Sequence, residues 1–320
     1  MGVDITIVMS HLQRLPSLTH VAVCGGTHGN EMSGVYLAKH WLSNPSELHR
    51  STFRATPFLG NPRAIQKCVR YVGRDLNRTF IADILNSKDP DTDSYEVQRA
   101  QEINQTFGPK GSSQAYDFMF DLHNTTANMG CCLIVASEHC LFSLHMCNYI
   151  QKQAKSRHCS ILLSKKNPEE ETYSVCSVGK NGLAIEVGPQ PQGVARADLL
   201  AQMRSIVTYA LDFIELFNKG TLFPAFDIEA YKVTGVVDFP RYPNGEISAV
   251  IHSDLQDQDF QPLKPGDPIF QIFSGEDILY DGEDTTYPVF INEAAYYEKK
   301  TAFLKTEKRT VSLPMLQKKF

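Results

Sequence analysis

The chain has 320 residues, of which 42% are hydrophobic and 21% charged, and its formal net charge is −5. This composition is typical of a soluble globular protein, and the length favours one large domain with a smaller one. The basic residues are scattered, which excludes the concentrated positive patch that nucleic acids and anionic membranes require. Small molecules are therefore the expected partners.

Targeting and cysteine patterns favour a cytoplasmic protein. No apolar run reaches the roughly 18 residues of a membrane-spanning helix, and the N-terminus lacks the basic region of a signal peptide. Gly2 and Thr6 fit a loose myristoylation pattern, but Asp4 favours chance, so peripheral membrane attachment stays the alternative. The eight cysteines include no CxxC pair, which argues against a thiolate zinc cluster, and we expect reduced thiols.

The first two thirds of the chain alternate predicted strands with predicted helices. Short apolar runs predict the strands, and stretches with a helical period predict the helices. We expect strands at 20–25, 55–62, 116–122, 131–137, 159–164 and 182–188, and helices at 31–42, 94–107, 141–154 and 196–218. This alternation predicts an α/β sheet flanked by helices.

The pattern changes near residue 220. Short runs such as YKVTGVVDF, EISAVIH and YPVFIN are separated by Pro, Gly and Asp turns, and the one helical pattern lies at 294–303. We therefore expect a first domain over residues 1–220 and a smaller, β-rich domain over residues 221–320.

Three predicted strands lead into polar residues able to do chemistry. They are the stretches VAVCGGTHGNE, YDFMFDLHNTT and GLAIEVGPQPQG. In open α/β sheets, ligands bind beyond the carboxyl ends of the strands. We therefore expect His28, Glu31, His123 and Glu186 to converge at one edge of the sheet.

The stretch CGGTHGNE at 24–31 allows two kinds of site. A phosphate-binding loop needs a lysine and a hydroxyl after its last glycine, and Val35 and Tyr36 stand there instead. A metal site needs ligands, and His28, Glu31 and His123 provide the two imidazoles and one carboxylate of hydrolytic zinc sites. Zinc held in this way lowers the pKa of a bound water to about 7. Taken singly, the H-x-x-E pair is common on helix surfaces, so the metal interpretation depends on convergence.

Five motifs resemble the aspartoacylase family of zinc amidohydrolases, in particular its branch that acts on N-acyl aromatic amino acids. The motifs are GGTHGNE, RYVGRDLNRTF, DLHNTTANMG, IEVGPQPQGV and VFINEAAYYEKK. The resemblance implies a fold similar to zinc carboxypeptidases, with a mixed sheet flanked by helices and a smaller β-rich C-terminal domain. It also implies that residues 1–220 are the catalytic domain and that residues 221–320 cap its site.

The resemblance implies roles for matching residues. His28, Glu31 and His123 match the ligands of one zinc ion per chain. Glu186 matches the catalytic acid that takes a proton from the metal-bound water and passes it to the leaving amine. Arg70 matches the arginine that stabilises the developing oxyanion.

Further positions match residues that bind the substrate. Asn77 and Arg78 match the pair that clamps the α-carboxylate, since a planar guanidinium bonds both oxygens. Tyr296 matches a tyrosine that contacts the substrate from the C-terminal domain. Without the resemblance, RYVGRDLNR would be a solvated basic loop and Tyr296 a packing residue. Supporting polar residues are Asp121, Asp75 and Asn124, of which Asn124 is also a candidate substrate contact.

One position departs from aspartoacylase. The family's arginine for a second substrate carboxylate lies ten residues before the catalytic glutamate, where this chain has Cys176. An anionic side chain loses its partner there, and an apolar group gains room. We therefore expect preference for N-acetylated aromatic or S-substituted cysteine (mercapturate-like) derivatives, unless Lys165, Lys166 or Lys180 replaces the charge.

Three other interpretations stay open at this stage. The chain could be an N-acetylaspartate deacylase, a zinc carboxypeptidase acting on short peptides, or a zinc-binding interaction module without turnover. The last does not require Glu186, Arg70 or the Asn77–Arg78 pair. Self-association into a homo-oligomer is an expectation of the resemblance alone.

Overall fold

The computed structural model of the protein describes residues 12–87, 94–154, 159–165 and 171–319. Within these ranges the α-helices are α1 Met32–Ser43, α2 Pro62–Lys67, α3 Ala82–Leu85, α4 Tyr95–Phe107, α5 Leu141–Gln153 and α6 Ala197–Asn218. The strands are β1 Gln13–Leu15, β2 His20–Gly25, β3 Arg54–Leu59, β4 Phe118–Asn124, β5 Cys131–Val135, β6 Cys159–Leu163, β7 Gly182–Val187, β8 Phe226–Val237, β9 Ala249–Ile251, β10 Pro268–Ile272, β11 Asp277–Leu279, β12 Phe303–Leu313 and β13 Leu316–Lys318.

An eight-stranded sheet organises the molecule, with the strand order β12-β8-β6-β5-β7-β4-β2-β3. Strands β3, β2, β4 and β7 run parallel, whereas β5 is antiparallel to β7 and β12 is antiparallel to β8. Strand β8 pairs with β6, so the chain after residue 220 extends the same sheet. The sheet is mixed, as predicted.

Helices cover both faces of this sheet. Strand β2 is therefore buried on both faces, which explains its apolar sequence. Val21 and Val23 belong to a core that includes residues of α1, α5 and α6, whereas Ala22 and Cys24 belong to a second core with residues of α4. A strand buried on both faces is a continuous apolar run, because neither face needs polar residues for contact with water. The predicted fold class, a mixed sheet flanked by helices with a β-rich C-terminal region, is confirmed.

Most elements of the first two thirds lie within a few residues of their predicted positions. The strand predicted at 20–25 is β2, and the helix predicted at 94–107 is α4. Ser94 caps α4 because its side chain accepts a hydrogen bond from the Val97 amide at 3.4 Å. The run predicted as a strand at 55–62 ends earlier, since Pro62 begins α2.

The helix predicted at 294–303 is wrong. The structure has a 3-10 helix only at Ala294–Tyr296, Lys300 has a positive φ of 54°, and Phe303 begins β12. Tertiary contacts outweigh the local helical preference here. The Ala302 amide donates to the Val237 carbonyl at 2.7 Å, Lys299 pairs with Asp75, and β12 pairs with β8 from Phe303 onward. In the neighbouring run YPVFIN, Val289 forms only an isolated bridge with Leu304.

The C-terminal third also contains a small sheet in the order β11-β10-β9 with its own apolar core. The division of the chain at residue 220 stays a prediction, because β8 and β12 share the large sheet while β9 to β11 do not. Among the described residues, no helix has the length and apolar character needed to cross a membrane.

Asp259 is a buried acid in this region and gives a prediction about stability. Burial raises its pKa to about 7, and its Oδ2 has no hydrogen-bond partner among the described residues. The folded state therefore binds this proton more tightly than the unfolded chain, so stability is lost as the pH rises through 7. Asp259→Asn is expected to raise the free energy of unfolding by roughly 4 kcal/mol at about pH 8.5 and to change it little at about pH 4.

Urea denaturation at both pH values measures this effect. Asp284→Asn is the matched control, since Asp284 is an exposed aspartate of the same C-terminal third. An equal gain from Asp259→Asn at both pH values would show that the buried charge is not its cause.

Candidate active site

Three strand ends bring the predicted site residues together. Because β2, β4 and β7 are parallel neighbours, their carboxyl ends lie at one edge of the sheet. His123 on β4 is the register partner of Glu186 on β7, and the loop after β2 carries His28 and Glu31. All four side chains line one cavity.

The loop after β2 is shaped by its glycines. A Cβ on Gly29 would lie 2.1 Å from the carbonyl carbon of Ala64, so only glycine lets α2 pack against this loop. The Gly29 amide donates to the Arg70 carbonyl at 3.2 Å. Glu31 occupies the position just before α1, which places its carboxylate beside His28.

The three predicted metal ligands are buried and face one another. The Nδ1 atoms of His28 and His123 lie 3.2 Å apart. Glu31 Oε1 lies 2.7 Å from His28 Nδ1, and its Oε2 lies 2.8 Å from His123 Nδ1. One possible ligand atom from each residue lies within 4.8 Å of the others, which forms a His-Glu-His group able to hold a metal ion.

A carboxylate stands behind each imidazole. Asp75 Oδ1 lies 3.0 Å from His28 Nε2, and Asp121 Oδ2 lies 2.7 Å from His123 Nε2. Outer partners of this kind fix the orientation of the ring and direct the other nitrogen toward a metal. Each imidazole could therefore offer its Nδ1 to a metal ion.

The electrostatics of the group favour a cation. Burial alone would raise the pKa of Glu31, but the two imidazoles hold that pKa well below its ordinary value. Burial alone would lower the pKa of His123, but Asp121 and Glu31 raise it well above its ordinary value. Two nitrogen ligands and one carboxylate in such a field fit a divalent metal such as zinc.

Arg70 contacts this group from the loop that follows α2. Its Nη1 donates to Glu31 Oε1 at 3.1 Å and its Nη2 donates to Asp75 Oδ2 at 3.3 Å. Its buried Nε has no hydrogen-bond partner among the described residues. The guanidinium is thus held beside the metal-binding group, and among the described residues its Nε has no acceptor.

Asn77 and Arg78 lie on a short 3-10 helix, Leu76–Arg78, and both line the cavity. The Asn77 side chain is part of the cavity wall, because Nδ2 donates to Asp121 at 3.1 Å and Oδ1 accepts from the Val175 amide at 2.9 Å. Arg78 lies over the ring of Tyr173, 4.4 Å from its centroid. Their contact with a substrate carboxylate stays a prediction.

Asn124 and Tyr296 also line the cavity. The Asn124 side chain accepts from the Ser33 amide at 2.9 Å and donates to the Val187 carbonyl at 2.9 Å, so it ties β4 to α1 and β7. Tyr296 comes from the C-terminal third, and burial raises the pKa of its hydroxyl. Substrate contact by either residue stays a prediction.

Glu186 is buried but lacks the ion-pair partner that a structural acid would have. It is 8% exposed and lines the cavity, and no ion pair or hydrogen bond within the described residues engages its carboxylate. Burial raises its pKa well above the ordinary value. A buried carboxyl without an ion-pair partner is suited to accept and return a proton during a reaction.

The cavity has a volume of about 860 Å³ and extends along the sheet away from the metal-binding group. Ala184 on β7, Ile134 on β5 and Leu162 on β6 are successive register partners, and all three line the cavity. With strands about 4.8 Å apart, this apolar row spans roughly 10 Å. Phe290 and Leu304 line the same cavity from the C-terminal third.

Cys176, the position at which the chain departs from aspartoacylase, lies at the wall of this cavity. Cys176 lines the cavity, and a Cβ on Gly182 would lie 2.7 Å from its Cβ. Of the lysines considered as replacements, Lys180 is paired with Asp117 at 2.8 Å, Lys165 lines the cavity, and Lys166 lies outside the described residues.

Two residues that the sequence did not single out join the C-terminal third to the site. Glu293 accepts hydrogen bonds from the Thr125 hydroxyl and, at 2.7 Å, from the Thr126 amide in the turn after β4. Lys299 pairs with Asp75 Oδ2 at 2.9 Å, behind His28. The only available signal was their place in the motif VFINEAAYYEKK.

Comparison with known proteins agrees with this geometry. The profile of the succinylglutamate desuccinylase/aspartoacylase catalytic domain matches residues 17–214, and that of the AstE/AspA barrel-sandwich hybrid domain matches residues 226–308. The chain belongs to the succinylglutamate desuccinylase/aspartoacylase family. The family predicted from the five motifs is therefore confirmed.

Two relatives and one solved structure of the succinylglutamate desuccinylase/aspartoacylase family show how similar this chain is to its members. The chain is 59% identical over 299 residues to the human N-acyl-aromatic-L-amino acid amidohydrolase (carboxylate-forming), covering 93% of each chain. It is 48% identical over 311 residues to the aspartoacylase of Danio rerio, covering 97% of this chain and 98% of that protein. The crystal structure of murine aminoacylase 3 superposes with a TM-score of 0.92 at 55% identity, covering 95% of this chain and 100% of the other.

Proposed function

We propose that this protein is a zinc-dependent amidohydrolase that cleaves N-acetylated amino acids into a carboxylate and the free amino acid. The observation that carries the proposal is the buried group of His28, Glu31 and His123 in one cavity with the Glu186 carboxylate, which no described residue pairs. The relationship to an N-acyl-aromatic-L-amino acid amidohydrolase supports the same reaction class.

His28, Glu31 and His123 would hold the zinc ion through two nitrogens and a carboxylate. When bound, zinc lowers the pKa of a ligated water to about 7 and polarises a carbonyl group. Glu186 accepts the proton of the attacking water and delivers it to the leaving nitrogen. Arg70 stabilises the charge that develops on the carbonyl oxygen, and Arg78 with Asn77 orients the α-carboxylate.

We further propose that the enzyme prefers aromatic or S-substituted cysteine side chains. The apolar row formed by Ala184, Ile134 and Leu162 provides a surface for such groups. Cys176 supplies no charge for an acidic side chain, and the ammonium of Lys180 is already paired with Asp117. The second carboxylate of N-acetylaspartate would lack the arginine that the aspartoacylase pattern places at position 176, which costs binding energy.

Metal analysis followed by rate comparison tests the reaction. We expect about one zinc ion per chain, and we expect chelation to abolish hydrolysis of N-acetyl-tyrosine and added zinc to restore it. N-Acetyl-tyrosine should be cleaved faster than N-acetylaspartate at about pH 7.5. Activity that persists in the metal-free protein would contradict the zinc proposal, and the reverse order of rates would favour the aspartoacylase reaction.

Replacing Cys176 with arginine tests the side-chain preference directly. The new guanidinium would enter the cavity beside Gly182 and pair with an acidic side chain. We expect kcat/KM for N-acetylaspartate to rise by about tenfold to a hundredfold and that for N-acetyl-tyrosine to fall by a similar factor. Cys176→Ser is the control and should change neither ratio by more than about threefold.

A carboxypeptidase reaction is the competing proposal within the same site chemistry. Glu293, Phe290 and Tyr296 from the C-terminal third line the cavity and limit the room for a long chain. Digestion of a peptide series tests it, since release of C-terminal residues from long peptides would favour the carboxypeptidase. Cytoplasmic residence stays an expectation of the targeting and cysteine patterns, and homo-oligomer formation stays an expectation of the resemblance.

A further inference from the structure

Glu96 is a fully buried acid that does not belong to the described cavity lining. It lies in the first turn of α4, and 0% of its surface is exposed. Its partners are in the loop between Arg70 and Asp75, both of which contact the metal-binding group. This arrangement connects an acid outside the site to two residues inside it.

The Glu96 carboxylate accepts hydrogen bonds from three successive backbone amides. Oε1 accepts from Val72 N at 2.7 Å, and Oε2 accepts from Gly73 N at 3.1 Å and Arg74 N at 3.2 Å. Such a row of amides matches an ionised carboxylate, because each amide contributes a charge-assisted hydrogen bond. One side chain therefore fixes the path of a loop that has no regular secondary structure.

A fourth hydrogen bond anchors Glu96 to the other side of the site. Asn61 Nδ2 donates to Glu96 Oε1 at 3.1 Å, and Asn61 Oδ1 caps α2 by accepting from Ala64 N at 3.1 Å. Ala64 is the residue whose backbone lies against Gly29. Glu96 thus helps to fix the position of the loop after α2 relative to the loop after β2.

We propose that Glu96 is a positioning residue that holds Arg70 against Glu31 and Asp75. The inference rests on the proposed hydrolysis and goes beyond it by assigning a role outside the cavity. Arg70 has to meet a charge that develops only during reaction, so a displacement of about 1 Å is enough to reduce the rate strongly. Glu96→Gln places an amide NH₂ among N–H donors and breaks this support.

Kinetics of the full-length, zinc-loaded enzyme on N-acetyl-tyrosine test the proposal. Glu96→Gln should lower kcat by about tenfold to a hundredfold, with KM within about threefold of wild type and zinc content unchanged. In an Arg70→Ala background, Glu96→Gln should cost no more than about a further twofold, because the group that it positions is gone. Glu96→Asp keeps the charge and should retain more activity than Glu96→Gln.

Asn218→Ala is the control for a merely structural role. Asn218 is buried and bonds Leu18 N at 2.9 Å and Leu18 O at 2.7 Å, and it does not line the described cavity. It should lower Tm without changing kcat. An unchanged kcat in Glu96→Gln, or the same fold-loss with and without Arg70, would overturn the positioning role. A wild-type enzyme without turnover would instead overturn the proposed function, and this inference with it.

Discussion

Replacing Glu186 with glutamine is expected to lower kcat by about a thousandfold or more while leaving the bound zinc at wild-type level. Glutamine keeps the volume of the side chain, but it neither accepts a proton from water nor delivers one to the leaving amine. The metal should stay bound because its proposed ligands are His28, Glu31 and His123. Hydrolysis of N-acetyl-tyrosine and metal analysis on the same preparation measure both quantities.

Glu283→Gln is the matched control for this experiment. Glu283 is an exposed acid of the C-terminal third, so the same chemical change should leave kcat within about twofold of wild type. A zinc-loaded Glu186→Gln enzyme with a rate within tenfold of wild type would contradict the proposed proton transfer. Loss of zinc together with activity would assign Glu186 to metal binding instead.

Arg70→Ala is expected to lower kcat by about a hundredfold to a thousandfold, which corresponds to roughly 3–4 kcal/mol of transition-state stabilisation. The guanidinium lies beside Glu31 and Asp75 in a buried site, where a fixed positive charge acts with little screening by water. KM should change little, because the charge that Arg70 meets is absent from the bound substrate. Steady-state kinetics on N-acetyl-tyrosine separate the two parameters.

Arg70→Lys refines this prediction. Lysine keeps the charge but bonds only as a point donor, so it should recover part of the rate lost in Arg70→Ala and remain below wild type. A rise in KM with kcat unchanged would show that Arg70 binds the ground state and would contradict the proposed oxyanion contact.

Much of the fold follows from local sequence patterns. The apolar run HVAVCG predicts β2 because both faces of that strand are buried, and Ser94 predicts the start of α4 because its side chain caps the helix. The convergence of His28, Glu31 and His123 could also be predicted. These residues follow apolar strands, and the parallel order of β2, β4 and β7 brings the carboxyl ends of the strands together.

The parts of the site that sequence patterns missed depend on contacts between distant residues. Glu293 reaches a hydroxyl 168 residues away, and Lys299 reaches a carboxylate 224 residues away. Neither spacing leaves a periodic signal. The predicted helix at 294–303 failed for the same reason. Long-range contacts of Glu293, Lys299 and Ala302 hold this segment, and pairing with β8 begins at Phe303.

The contribution of β8 and β12 to the central sheet has a consequence for protein engineering. Strand β8 adjoins β6 and β12 adjoins β8, and the segment that leads into β12 carries Glu293 and Lys299. Grafting the last hundred residues from one homologue onto another would therefore replace part of the cavity wall together with strands of the central sheet. Chimaeras of this kind would inherit substrate selectivity from both parents.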